Sequence, residues 1–243
     1  MKVARDRIFD ASPLATGSFK FDDRVSAVFD DMVGRSVPCY SQLQRCIADL
    51  FAVFSLSKVA LDIGCSTGST LKAIAESRSE VKALHGIDIS DSMVERAQIK
   101  LAPYRDKVTL SNKDLAIGPI EGLEEVDFVI LTLVLQFVRP IDRAKLLANM
   151  IASCPSVRTV ILVEKIVFPH PYINQHFIDA YYAMKSRNGY SDDEIYRKRL
   201  ALENLLIPYT HDENIELMRT AGFFKNEIFF SYLNFRGYIF YRD

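Results

Sequence analysis

Excess charge is the first thing this sequence lacks. Its 243 residues hold 30 lysines and arginines against 31 aspartates and glutamates. The pI is near 6.4, so no global positive field draws the chain onto nucleic acid or anionic lipid. A direct nucleic-acid substrate is disfavoured on that ground. Cysteine is scarce: Cys39, Cys46, Cys65 and Cys154 contain no C-x-x-C pair, and four scattered histidines add no spacing suited to zinc. The expectation is no metal and no disulfide framework. Long apolar runs are missing as well. The longest, Phe128 to Val138, is far too short to cross a bilayer, and Met1-Lys2-Val3-Ala4-Arg5-Asp6-Arg7 is charged with no apolar leader region. A cytoplasmic protein without a membrane partner is expected. Repeats, low-complexity tracts and long linkers are absent too. With 49% hydrophobic residues the chain can bury a full core, which gives one domain over 1–243.

What is present centres on Leu61-Asp62-Ile63-Gly64-Cys65-Ser66-Thr67-Gly68. An apolar strand, Val59 to Ile63, runs into a small-residue turn that opens a helix near Ser69. Glycines there accept backbone angles closed to other residues and remove Cβ atoms that would block a ligand, while the helix start offers free N–H groups. Asp88 closes a second apolar stretch, Leu84-His85-Gly86-Ile87-Asp88. An acidic residue roughly 20 to 25 positions after such a turn is placed to accept hydrogen bonds from ribose hydroxyls. The turn is not G-x-G-x-x-G, because Ser66 stands where the middle glycine would be. A dinucleotide's pyrophosphate needs its closest approach at that position, so S-adenosylmethionine is favoured over NAD.

β-rich runs alternate with helical patterns along the chain, which predicts a parallel, doubly wound α/β sheet. Strands are expected at 58–63, 83–88, 107–111, 126–132, 158–164, 225–232 and 235–241. Phe128-Val129-Ile130-Leu131 and Val160-Ile161-Leu162-Val163 are continuously apolar, as in strands covered on both faces. Ala221-Gly222-Phe223 reads as a helix stop, and the last two strands, aromatic and separated near Asn234, suit an antiparallel hairpin. Seven strands ending in such a hairpin make the Rossmann-like architecture of class I S-adenosylmethionine-dependent methyltransferases, a fold analogy.

Two segments fall outside this sheet. The first, 20–55, carries Leu43, Ile47, Leu50, Phe51 and Phe54 at helical spacing and could cap the cofactor site. Tyr40 follows its Pro-containing turn, and a ligand-facing hydroxyl and ordinary packing both remain open for it. The second, 170–207, is a helical insertion of two helices divided by Asn188-Gly189. Ser191 and Glu194 predict a capping box, with Tyr190 and Ile195 as a hydrophobic staple. Helical spacing puts Arg199 on the apolar stripe of Ile195, Leu202 and Leu206. A buried guanidinium there would need an anion, either Glu203 or a neighbouring carboxylate, or else the carboxylate of a ligand.

Phe21-Asp22-Asp23-Arg24-Val25, Arg35-Ser36-Val37-Pro38, Asp62-Ile63-Gly64-Cys65-Ser66, Leu135-Gln136-Phe137, Glu164-Lys165, Asn188-Gly189-Tyr190-Ser191 and Lys198-Arg199-x-x-Leu202-Glu203-Asn204 together resemble the carboxy-S-adenosyl-L-methionine synthases. The resemblance runs from about residue 5 to the end, and its motifs outside the cofactor turn are not those of methyltransferases at large. It implies a transferase that converts prephenate and S-adenosyl-L-methionine to phenylpyruvate and carboxy-S-adenosyl-L-methionine. The sulfonium acidifies its methyl protons, so an ylide can capture carbon dioxide. A separate enzyme then uses the product to carboxymethylate a tRNA wobble uridine.

Carried over by position, the resemblance implies cofactor contacts at Tyr40, at Gly64, Cys65 and Ser66, at Asp88 for the ribose, and at Ile89, Asp114 and Leu115 near the adenine. It also implies contacts at Thr132 and at Arg199, the latter for the new carboxylate, with Arg199 and Tyr40 as the catalytic residues. Ile89 and Thr132 stand where the family commonly has asparagine. Ile89 keeps a backbone N–H for adenine, whereas Thr132 keeps only a hydroxyl. The family supplies the arginine from a partner subunit, which implies a homodimer with composite sites. A conventional methyltransferase, which would leave Arg199 and the 188–204 motif without a purpose, and a non-catalytic S-adenosylmethionine-binding partner protein, which would show no turnover with prephenate, are the alternatives.

Overall fold

The computed structural model of the chain describes residues 5–9, 19–77 and 79–243. The N-terminal stretch Met1–Arg7 is therefore described only from Arg5. Seven strands form one sheet in the order β3-β2-β1-β4-β5-β7-β6. They are β1 (Val59–Ile63), β2 (Ala83–Asp88), β3 (Val108–Asn112), β4 (Phe128–Thr132), β5 (Thr159–Lys165), β6 (Lys225–Tyr232) and β7 (Phe235–Tyr241). Each expected strand is present, and the ends differ from expectation by two residues at most. The first five pair in parallel, whereas β7 inserts antiparallel between β5 and β6.

The unbroken apolar runs of β4 and β5 split by alternation between two cores. Val129, Leu131, Val160 and Leu162 face Leu146, Leu147 and Met150 of α5 (Pro140–Ser153) and Met218 of α8 (His211–Thr220). Phe128, Ile130, Ile161 and Val163 face Leu43, Ile47 and Phe51 of α2 (Tyr40–Phe54), with Leu71 and Ile74 of α3 (Ser69–Glu76) and Ala97 and Leu101 of α4 (Asp91–Leu101). At roughly 1.5–3 kcal/mol for each fully buried large side chain, these two layers dominate the stability of the fold.

The segment 20–55 folds as α1 (Asp23–Ser36) and α2. Asp22 caps α1 by accepting from the N–H groups of Arg24 and Val25, a start signal that hydropathy alone does not give. The insertion folds as α6 (Pro171–Arg187) and α7 (Asp192–Leu202), and α7 opens with the Ser191/Glu194 capping box. This helix is shorter than its apolar spacing suggests. Glu203 leaves helical geometry and Asn204 turns left-handed at φ 64, so Leu206 lies beyond the helix and the stripe is Ile195, Arg199 and Leu202.

Candidate active site

Parallel α/β sheets bind ligands beyond the carboxyl ends of their strands, where the strand order reverses. Here that point is β1, paired with β2 on one side and β4 on the other. A cavity of about 420 Å³ opens there and extends under α1, α6 and α7.

The turn after β1 forms its floor. Gly64 adopts φ +68, and a Cβ on it would come within 2.6 Å of Val134 Cγ2. Its N–H and that of Cys65 both donate to the Ile87 carbonyl, tying the turn to β2. Ser66 is also left-handed, at φ 50, a conformation that costs a non-glycine residue roughly 1–2 kcal/mol. Asp88 holds it there. Its Oδ2 accepts the Ser66 N–H at 2.9 Å and its Oδ1 accepts the Ser90 N–H at 2.9 Å. Burial pushes the Asp88 carboxyl up while these N–H groups pull it down, and the net shift is upward. On the turn's far side Lys100 Nζ donates to Asp30 Oδ1 at 2.8 Å, Thr67 Oγ1 at 2.7 Å and Ser69 Oγ at 2.9 Å, locking the start of α3 to α1.

The cavity wall contains orphaned polar atoms. Asp62 Oδ2 and Thr132 Oγ1 are buried without a hydrogen-bond partner. A buried, unpaired carboxylate oxygen is costly, and burial followed by the nearby Asp88 charge pushes the Asp62 carboxyl up to about 8. An ammonium-bearing ligand would relieve both, and S-adenosylmethionine carries one on its amino-acid end. The residues present therefore fit that molecule: a glycine floor with no Cβ, a ribose-height carboxylate, and an unpaired acidic oxygen. Cys65 lines the same cavity, but burial, then the Asp62 and Asp88 charges, raise its thiol, which keeps it protonated and a poor nucleophile.

Behind the cavity Glu164 organises the loop after β4. Its carboxylate accepts the N–H groups of Val134 at 3.0 Å, Leu135 at 2.8 Å and Gln136 at 3.0 Å. Burial pushes it up to about 8 against these donors and Arg143. The loop presents Phe137 to Phe21, ring centroids 5.3 Å apart and edge to face, and Phe19 sits 5.1 Å from Phe21. These rings form an apolar wall.

Tyr40, Gly64, Cys65, Ser66, Thr132 and Arg199 all line this cavity. Burial, then the Asp62 and Asp30 charges, raise the Tyr40 hydroxyl, so it is a hydrogen-bond donor at neutral pH. Asp88, Ile89, Asp114 and Leu115 are not among the residues that line the cavity and stand at or just after the paired ends of β2 and β3. The Lys113 N–H donates to the Asp88 carbonyl there. Ile89 is 70% exposed, Asp114 accepts the Ala116 N–H, and the Leu115 side chain is spent in the core at 2% exposure. Only the backbone of Leu115 is left to face a ligand.

Arg199 differs from expectation in its exposure. It is exposed at the cavity mouth instead of buried on an apolar face, so no buried-charge penalty demands an anion. It lines the cavity of its own chain. Among the described residues no carboxylate, Glu203 included, forms an ion pair with it. Its neighbours are the Tyr182 hydroxyl and Lys165.

Lys165, Lys185 and Lys198 also line the cavity; Lys165 and Lys198 stand in motifs that carry the resemblance, but none of the three was expected as a site residue. A signal existed: Lys165 ends β5 on the ligand-binding edge of the sheet, and Lys198 precedes Arg199. Burial, then Arg199, lowers Lys165 to about 8. Among the described residues no cluster of His, Cys, Asp and Glu could hold a metal ion, and no helix is long and apolar enough to cross a membrane.

This geometry is that of a class I S-adenosylmethionine-dependent methyltransferase fold. The methyltransferase domain family matches residues 61–154. Among solved structures, human N-acetylserotonin methyltransferase in complex with SAM superposes with TM-score 0.62 at 14% identity, covering 90% of this chain and 55% of that one. Magnesium protoporphyrin IX methyltransferase from Synechocystis with bound SAH gives TM-score 0.56 at 16% identity over 93% and 89%. Sequence relatives are more specific. Carboxy-S-adenosyl-L-methionine synthase 1 of Yersinia pseudotuberculosis is 46% identical over 237 residues, 96% of this chain and 98% of that protein. The carboxy-S-adenosyl-L-methionine synthases of Methylococcus capsulatus and Sulfurimonas denitrificans are 37% and 38% identical, covering 98% and 91% of this chain and 99% and 93% of theirs. The chain belongs to the carboxy-S-adenosyl-L-methionine synthase family of transferases.

Proposed function

We propose that this protein moves the carboxyl group of prephenate to the methyl carbon of S-adenosyl-L-methionine, releasing carboxy-S-adenosyl-L-methionine and phenylpyruvate. The observation that carries the reading is one cavity joining an adenosyl-cofactor turn to a cationic end of Lys165, Lys185, Lys198 and Arg199. A neutral methyl acceptor would have no use for four cations; an anionic substrate and a carboxylated product do. The atoms balance. When the ring carboxyl leaves prephenate, the electrons of the broken carbon–carbon bond aromatise the ring and expel its hydroxyl. The methyl carbon gives up one proton, so the net by-product is water.

In this reading Asp88 accepts the ribose hydroxyls, and the backbone of Ile89, Asp114 and Leu115 flanks the adenine. Asp62 and Thr132 receive the amino-acid end. Phe19, Phe21 and Phe137 exclude water around the ring, which keeps released carbon dioxide beside its acceptor. Tyr40 donates its proton-bearing hydroxyl, and Arg199 receives the new carboxylate. The protein works as a cytoplasmic homodimer of single-domain subunits without touching nucleic acid, and its product serves a separate enzyme that carboxymethylates a tRNA wobble uridine. Purified protein should turn prephenate into phenylpyruvate only when S-adenosyl-L-methionine is present. Prephenate left untouched, with methyl transfer to another acceptor, would replace this function with that of a conventional methyltransferase.

A further inference from the structure

The cationic end of the cavity holds more charge than one carboxylate needs. Lys185 is 4% exposed and Lys198 is 6% exposed, yet among the described residues no carboxylate comes within ion-pair distance of either, or of Lys165. The three come from different elements and are threaded between two tyrosine rings. Lys165 Nζ stands 4.6 Å from the Tyr181 ring centre, and Lys185 Nζ stands 5.7 Å from Tyr181 and 5.3 Å from Tyr190. Lys198 Nζ stands 5.5 Å from Tyr190 and donates to Ser36 Oγ at 3.2 Å. The nearest compensation is Asp6, whose carboxylate already accepts the Tyr190 hydroxyl at 2.6 Å and the Ile8 N–H at 3.1 Å. Lysines are very seldom buried so deeply without a counter-ion, since desolvating an ammonium is costly. The arrangement is stable when a ligand brings the anion.

Which cation faces which carboxylate follows from their order. Lys165 feels Arg199, and Lys185 feels both Lys165 and Lys198, with Arg35 beyond Lys198 and Asp6 and Glu194 partly offsetting the last two. The row therefore begins at Arg199 and ends deep under α1, near Ser36. We infer that Lys185 and Lys198, with Lys165 between them and Arg199, form a second carboxylate subsite that selects a dicarboxylic keto acid and holds the carboxylate that does not migrate. This deepens the function proposed above and rests on it. The three lysines are positioning residues: they anchor the side-chain carboxylate so that the ring carboxyl faces the cofactor.

Phenylpyruvate retains only that anchored carboxylate, so it is the direct probe. Its inhibition of the reaction, and its calorimetric binding in the presence of S-adenosylhomocysteine, should weaken about tenfold or more in Lys185→Met and in Lys198→Met. KM for prephenate should rise in parallel, with kcat and S-adenosylhomocysteine affinity changed less than about threefold. Lys185→Arg should recover most of the loss, which a purely structural lysine would not require. Arg199→Ala should leave phenylpyruvate affinity largely intact. If wild-type protein turns over prephenate and both folded lysine variants keep its KM and phenylpyruvate affinity, the subsite is refuted while the function stands. If phenylpyruvate binds through Lys185 but prephenate is not turned over, the function is refuted while the subsite stands.

Discussion

Asp88→Asn tests the cofactor end of the cavity most sharply, because the substitution keeps the shape and removes the charge. Asp88 Oδ2 accepts the Ser66 N–H and Oδ1 the Ser90 N–H, both at 2.9 Å, and in the proposed function the remaining lone pairs accept from the ribose. An asparagine amide has one oxygen. Its NH2 group must oppose either the Ser66 or the Ser90 N–H, and it can no longer accept from two hydroxyls as an anion. Hydrogen bonds to charged groups contribute about 1.5–3 kcal/mol, so losing one such bond to the ligand predicts about 10- to 150-fold weaker nucleoside binding. Ser66, at φ 50, also loses its anchor, so the melting temperature should fall modestly. Calorimetry with S-adenosylhomocysteine at matched folded fraction reads the effect. Affinity within about threefold of wild type would refute the ribose contact, and an unchanged melting temperature would refute the anchoring role.

Gly64→Ala should cost about 1–3 kcal/mol and abolish nucleoside binding, since its Cβ would lie 2.6 Å from Val134 Cγ2 at φ +68; a thermal melt and the same titration check this, and a normal melt would contradict it. Lys185 sits at about 7 in the folded protein against 10.5 when unfolded, so the unfolded chain binds more protons between those values and that lysine's penalty is full below about pH 7 and relieved as pH rises. Lys185→Met should therefore stabilise most at pH 6 and progressively less above pH 7, read from the difference between the two melting curves. For the same reason phenylpyruvate should bind more weakly as pH passes from 7 to 9, since burial lowers Lys165 and Lys198 to about 8 as well. Arg199→Ala mixed with Asp88→Asn should regain part of the activity under demonstrated subunit exchange if the homodimer builds composite sites; no recovery would assign the arginine to the cavity of its own chain, which it lines.

Elements with a periodic or punctuated signal were legible in the sequence. The apolar runs of β4 and β5, the Gly222 stop and the Ser191 capping box each encode their geometry locally, and the structure follows them. Helix α1 was less legible because its buried stripe, Val25, Ser26, Met32, Val33 and Ser36, mixes serine with apolar residues, and its Asp22 cap has no glutamate or glutamine three residues on to complete a capping box. The cofactor turn was readable because glycine spacing and Asp88 are close in sequence. The lysine row was not, because Lys165, Lys185 and Lys198 come from three elements that meet only after folding. Arg199 shows the opposite failure. Helical spacing put it on the apolar stripe, yet within α7 Ile195 is buried and Arg199 is exposed, so burial could not be inferred from period alone.

The most direct measurement is mass spectrometry of the nucleoside formed when purified protein meets S-adenosyl-L-methionine and prephenate together. A nucleoside heavier than S-adenosyl-L-methionine by one carboxyl group should appear in step with phenylpyruvate and be absent when either reactant is left out. Unchanged S-adenosyl-L-methionine, or S-adenosylhomocysteine alone, with prephenate intact would contradict it.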